Sequence, residues 1–562
     1  MSTLSTFSTL STMTLSPLRR PAWRTPAGPA GLLLAALLAV AFACWLYGLP
    51  FMLGRAASWQ IQDGDIAQYV AGFNAYVHEP WHWPLFRIES INTPGGTLTT
   101  FVDAVPLYAL LLKLLAHGPD VPFRNPYPAW IALCYLLQGV GAWWICREAR
   151  LRSWCALLAL AVLLAAFPAL TRRFFHISLM SQWLLLFGLA IYLRASRLGH
   201  IATRHWCALL LAACYINMYL FCMLSLLFGA DLLRQARRHG WRGAAGAALA
   251  AVLLVALSLL LTVLPLGEGS GAREWGFGYY SMNLLAPLTG GTLLHWPYPI
   301  GTPGQYEGRN YLGVFLLLAT AFALRLRRRH DPLFWQRHRA LLAVLAGMTL
   351  YALSNNVYLG ELHLVDLDLP RWMDAFTGQM RVSGRFFWPV GYAVIVFTVV
   401  SIARLAGPRR AAWLLALLVA LQLWDLRDHH REVRLQANQP AKQILHTADW
   451  DAFLGPRVSH LQVYPPFGCP NAGGAQTLLP VMLYAVQHRM SISTGYVARV
   501  KKPCDNYAEE IAGLRGPETA FAFFKSHFPT IEAARQHLGG ATPPACIDVD
   551  FVWLCRREEQ QQ

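Results

Sequence analysis

The chain has 562 residues, of which 55% are hydrophobic and 14% charged, and a formal net charge of +17. A soluble protein of this size carries about 25% charged residues, so a soluble globular fold is excluded and a polytopic α-helical membrane protein is indicated. The positive charge does not indicate nucleic acid, because it lies in short loops, with no basic helix or aromatic-basic platform.

Residues 1–30 open with "MSTLSTFSTLSTMTLSPLRR" and read as a disordered cytoplasmic tail. The apolar run from Gly31 to Leu53 is too long for a signal-peptide core and reads as a retained first span. Further apolar segments lie near 127–147, 153–170, 177–194, 206–231, 243–266, 311–325, 340–357, 384–403 and 411–426. With its tilt and turns allowed for, region 31–426 predicts about 10–11 transmembrane helices of roughly 20 residues.

Charge sets the expected orientation. The stretches 19–24, 147–152, 194–205, 231–242, 325–339 and 404–410 hold 22 arginines against Glu148, Asp231 and Asp331. The remaining connections, 54–126, 171–176, 267–310 and 357–383, hold ten basic and thirteen acidic residues. Arginine-rich loops stay cytoplasmic, so the N-terminus is expected inside and the second set of loops outside. Under that assignment "AVPLYALLLKLLAH" (104–117) cannot be a full span and reads as a helix on the outer surface. Segment 206–231 begins and ends beside basic loops, which predicts two half-helices turning near "YINMY" (215–219).

Residues 427–562 are then outside as well, and their texture changes to that of a small periplasmic α/β domain. "SHLQVYPPF" and "CIDVDFVWLC" read as strands, and 476–488, 505–515 and 517–538 as helices. Seven of the eleven cysteines sit in or beside apolar spans. The other four, Cys469, Cys504, Cys546 and Cys555, share this domain and suggest two disulfides. Spacing does not fix the pairing; Cys546 with Cys555 and Cys469 with Cys504 is the working assignment. A zinc site is the alternative, without any C-x2-C spacing to support it.

The outward loops hold the candidate chemistry: Asp63 and Asp65 after the first span, Arg172, Arg173 and His176 at a tight turn, Glu307 in the long loop, and Arg381 and Arg385 at the mouth of a span. Each also has a plain structural role. One aspartate can cap the helix starting near Ile66, the 172–173 arginines can reach lipid phosphates, and Glu307 can pair with Arg309. Trp275, Tyr279, Tyr280 and Trp296 suit interfacial anchors as well as a sugar platform. Ionisable groups at a membrane mark function, however. Arginines fork onto phosphate oxygens, and a carboxylate can deprotonate a hydroxyl or hold a divalent ion.

A first span followed by a long outer loop opening on an acidic pair resembles the GT-C glycosyltransferases, which use polyprenyl-phosphate-linked sugars. "DGDIAQYVAGFNAYVHEPW", "INTPGGTLTTFVDAVPLYALLLK", "HISLMSQWLLLFGL", "GQYEGRNYLG" and "RVSGRFFWPVGY" look like an uncharacterised bacterial inner-membrane family grouped with that superfamily, over roughly residues 55–405. The resemblance implies inverting sugar transfer from a polyprenyl-phosphate donor to an envelope glycan or lipid. Asp65, or else Asp63, would be base or ligand to Mg or Mn, with His176 beside them. Arg381 and Arg385 would hold the phosphate, and Arg173 and Glu307 would line the substrate site. No W-W-D-type motif is present, which weakens any case for protein glycosylation. A transporter or flippase of a lipid-linked precursor, and a non-catalytic assembly partner, are the alternatives.

Overall fold

The computed structural model describes residues 25–265, 275–295, 301–498, 502–504, 507–514, 516–539 and 543–557. Most of the expected N-terminal tail (1–24) and Trp296 lie outside the described residues. Among the described residues six helices are long and apolar enough to cross a membrane: Pro29–Tyr47, Tyr127–Glu148, Ile177–Leu198, Met218–His239, Trp241–Thr262 and Ser383–Leu405. The other apolar segments form Trp154–Ala165, Thr203–Cys214, Val314–His330, Phe334–Leu353 and Pro408–Asp425, which are shorter or carry arginines at one end.

The short helix and the chain break expected here are both present, although Met218–His239 is a full-length apolar helix and not a half-helix. Residues Pro106–Leu115 form a ten-residue helix with Leu111, Leu114 and Leu115 exposed. Its one charge, Lys113, is buried and donates to the carbonyls of Tyr76 (2.6 Å) and Pro80 (3.1 Å). The chain between Thr203–Cys214 and Met218–His239 breaks at 215–217, where the Asn217 side chain accepts from the N–H groups of Tyr219 and Leu220. Trp206 near one end donates to Asp231 of the following helix (3.0 Å), so the two run back alongside each other. The second arm is longer than expected, continuing to His239.

The C-terminal region is a five-stranded sheet in the order Ser491–Ile492, His460–Tyr464, Thr519–Phe524, Val552–Arg556, Ala545–Val549. The first three strands are parallel and the last two antiparallel. Both expected disulfides form, Cys469–Cys504 and Cys546–Cys555, the second joining directly opposed residues of the 545–556 hairpin. They point to an extracytoplasmic location. The helix expected over 517–538 is corrected: Thr519–Phe524 is the central strand and only Ile531–Leu538 is helical. Every residue of that strand is buried, so it shows no period-two alternation to separate it from a helix.

This sheet continues into the connection after the first apolar helix. Ile91 pairs in parallel with Ile492, the Ile492 N–H donates to Ser90, and the N–H groups of Asn92 and Thr93 donate to Ile492. Helix Ala475–Gln487 packs against helix Gly64–His78. The α/β region is therefore built onto the segment that carries Asp65.

Candidate functional site

Four short segments meet at one point. Asp65 stands in the first turn of helix Gly64–His78, while Arg173 and His176 come from the turn after the short helix Pro168–Thr171. Glu307 lies in the 3₁₀ helix Pro303–Gly308 and Arg385 in the 3₁₀ helix Ser383–Phe387. The last two approach backbone to backbone: a Cβ on Gly384 would sit 2.7 Å from the Gly308 Cα, so a side chain there would push Glu307 and Arg385 apart.

Glu307 is the hub. Its Oε2 accepts from Arg173 Nη1 (2.6 Å) and Arg385 Nε (3.0 Å), and its Oε1 faces His176 Nε2 at 3.3 Å. Arg173 also donates to the Glu307 carbonyl at 3.0 Å. The other His176 nitrogen, Nδ1, lies 2.8 Å from Asp65 Oδ2. An imidazole flanked by a carboxylate at each nitrogen donates at both only as imidazolium.

Exposure grades across the cluster. Glu307 is 3% exposed, Arg173 7%, Arg385 11%, His176 29% and Asp65 35%. The floor is dry, and the Asp65–His176 pair forms its open edge. Burial alone would lower the His176 pKa, but Asp65 and Glu307 outweigh it and push it up to about 9. Burial works to raise Asp65, yet the adjacent His176 charge leaves its carboxyl below the usual range. Glu307 is likewise held well below its usual range, because Arg173, Arg385 and His176 overcome the cost of its burial.

With two guanidiniums and an imidazolium against two carboxylates, the cluster keeps net positive charge. Among the described residues no acceptor meets the two terminal nitrogens of Arg385, and the buried Nε of Arg173 has no partner. Buried donors without acceptors favour an anionic ligand. A divalent cation fits poorly. Asp65 and Glu307 are both taken up by protein cations, and Asp63 binds Lys442 Nζ at 2.6 Å. Among the described residues no group of three or more His, Cys, Asp or Glu side chains could hold a metal.

The expected site residues thus divide. Asp65, His176, Arg173, Glu307 and Arg385 come together. Asp63 occupies the N-cap position of helix Gly64–His78 without a side-chain cap bond and turns to Lys442 instead. Arg381 donates to the Trp275 carbonyl (3.1 Å) and lies over the Tyr280 ring. Glu307 does not take the expected loop partner: Arg309 approaches Glu432 at 4.0 Å. Arg172 likewise holds Glu432, through both terminal nitrogens.

Residues 36–427 match a domain of unknown function, DUF6311, and residues 449–557 match the DUF6311 C-terminal domain. The chain belongs to the DUF6311 family. The comparison with curated proteins yields no match. In this DUF6311 chain the stretch between the two matched regions supplies second-layer contacts that sequence reasoning missed. His429 and Glu432 hold Arg172, while Lys442 and the N–H groups of Ile444 and Leu445 hold Asp63 and Gln62. Tyr219 was also missed; its ring lies 4.9 Å from the Arg385 guanidinium. The one signal available for Tyr219 was its place in the predicted 215–219 turn.

Proposed function

We propose that this chain is a GT-C-like membrane glycosyltransferase of the bacterial inner membrane. It would move a sugar from a polyprenyl-phosphate donor to a cell-envelope glycan or lipid on the periplasmic side. The observation that carries the reading is the buried Arg385, fixed through Nε by Glu307 with its terminal nitrogens uncommitted, next to a carboxylate at the open edge. In this reading the five further helices complete a bundle of about 10–11 spans, and both the 64–78 helix and the α/β region face the periplasm.

The chemistry follows from the charges. Arg385, with Arg173 and the His176 imidazolium behind it, binds the donor phosphate and stabilises the negative charge that grows on it as the sugar leaves. Asp65 uses one oxygen on His176, which orients it, and takes the proton of the acceptor hydroxyl with the other. The hydroxyl oxygen forms the new bond to the anomeric carbon. The bond from that carbon to the phosphate oxygen breaks with its electron pair on phosphate, and the configuration inverts. Glu307 touches no reactant; it keeps three cations together in a dry site.

A transfer assay in membranes with radiolabelled polyprenyl-phosphate sugars tests this. Transfer should be lost in Asp65→Asn and Arg385→Ala and persist in Asp63→Asn. One observation favours the transporter reading: the broken 203–239 segment carries a buried ion pair, Asp231–Arg234. Lipid export by reconstituted protein without any glycosyl transfer would establish that alternative and retire the enzyme.

A further inference from the structure

An aromatic shelf adjoins the charged floor, and no step above uses it. Trp275 lies 5.2 Å from Tyr279 and 6.0 Å from Tyr280 between ring centroids, Tyr279 and Tyr280 meet edge to face at 4.9 Å, and Tyr306 meets Tyr280 edge to face at 6.4 Å. Trp275 is 69% exposed and Tyr306 48%. The shelf and the floor are one construction. Tyr306 directly precedes Glu307, and the Tyr280 carbonyl accepts from the Gly384 N–H at 3.0 Å, one residue before Arg385. Tyr279 packs on bare backbone: a Cβ on Gly304 would lie 2.3 Å from its ring, which fixes the ring against the 303–308 turn. Arg381, four residues before Arg385, lies 5.5 Å from the Tyr280 ring, which ties this ring to the same segment.

Membrane-interface anchoring accounts for exposed aromatics at the flank of a helix. It does not account for four rings gathered from two stretches of one loop and tied by backbone to a buried guanidinium. A pyranose offers a face of C–H groups that suits the negative face of an aromatic ring, and its hydroxyls suit tyrosine O–H groups. A sugar bound through its anomeric oxygen to a phosphate on Arg385 must also lie within one ring's width of it.

We infer that Trp275, Tyr280 and Tyr306 form the subsite for the hexose of a phosphate-linked donor, and that this shelf selects the sugar. The inference rests on the donor reading above, and it assigns the sugar and the phosphate to different residues. The two can therefore be separated by comparing a short-chain polyprenyl phosphate with the same lipid carrying a hexose. The full chain in nanodiscs is titrated with each, using glucose, galactose, mannose and N-acetylglucosamine forms. Wild type should bind at least one hexosyl lipid about tenfold more tightly than the bare phosphate, a difference equal to one well-packed aromatic contact. Trp275→Ala and Tyr306→Ala should abolish that difference and leave binding of the bare phosphate unchanged, while Tyr306→Phe should keep most of it. Two alanine variants 31 positions apart guard against misfolding of one, and unchanged phosphate binding reports an intact floor. Equal binding of bare and hexosyl lipids by wild type, or a preference that survives both alanine variants, overturns the subsite while leaving the phosphate seat standing. Binding of neither lipid overturns both readings.

Discussion

Glu307 holds three partners on two oxygens while 3% exposed, so its loss leaves two guanidiniums and an imidazolium without counter-charge. Removing one side of a buried ion pair costs about 3–5 kcal/mol, and Glu307→Ala is expected to lower the detergent melting temperature sharply. Asp63→Asn removes a pair whose lysine is half exposed, worth about 0–1 kcal/mol, and should leave it nearly unchanged. An unchanged melting temperature in Glu307→Ala would contradict the hub. His176 gives a pH signature. Its folded pKa of about 9 lies above its ordinary 6.5, so its stabilisation is complete below 6.5 and is lost as pH rises through about 9. Asp65 acts at the other end: its lowered pKa stabilises at ordinary pH and is lost on acidification below the usual carboxylate range. Wild-type melting temperature should therefore decline through about pH 9, and His176→Ala should flatten that decline. These five residues were legible in the sequence because ionisable groups in the connections of a largely apolar chain are conspicuous. Their partners were not: the Asp63–Lys442 pair spans 379 positions, and nothing local in either segment marks it.

Among elements, the break at 215–217 ties the helical bundle to the site. Asn217 caps the following helix and donates to Ser178 Oγ (2.9 Å), which also meets the Tyr69 hydroxyl (3.0 Å), one turn along from Asp65. A cap of this kind is worth about 0.5–2 kcal/mol. Asn217→Ala should destabilise by that amount and reduce transfer through misplacement of the 64–78 helix, measured as a fall in rate larger than the fall in folded fraction. The turn and the short 106–115 helix were readable because charge bookkeeping across the whole chain demanded a break and a segment too short to span. The 519–524 strand was not, because a strand buried on both faces and a buried helix have the same continuous apolar texture. The Ser491–Ile492 edge strand is two residues long and owes its conformation to Ile91 and Leu461 on either side.

At the scale of the molecule, the α/β region is an extension of the 54–126 connection. Lys502 donates to the Thr93 carbonyl, Gln68 donates to the Tyr496 carbonyl, and the 475–487 helix lies on the 64–78 helix. Truncation after Ala437 should therefore abolish transfer even though every candidate catalytic residue remains, as measured on purified protein matched for folded amount. Orientation is testable separately. Leu362→Cys lies on the exposed 362–366 strand and should react with a membrane-impermeant maleimide in intact cells, whereas Arg329→Cys should react only after permeabilisation. The reverse pattern would turn the site to the cytoplasm and remove the periplasmic reading.

The most direct measurement is a structure of the full chain with a phosphonate analogue of a polyprenyl-phosphate hexose. The phosphonate should lie on the terminal nitrogens of Arg385, with the anomeric carbon facing Asp65 and the hexose on the 275–306 aromatic shelf. An analogue seated within the helical bundle, or a Glu307–Arg385 cluster left unoccupied at saturating ligand, would contradict it.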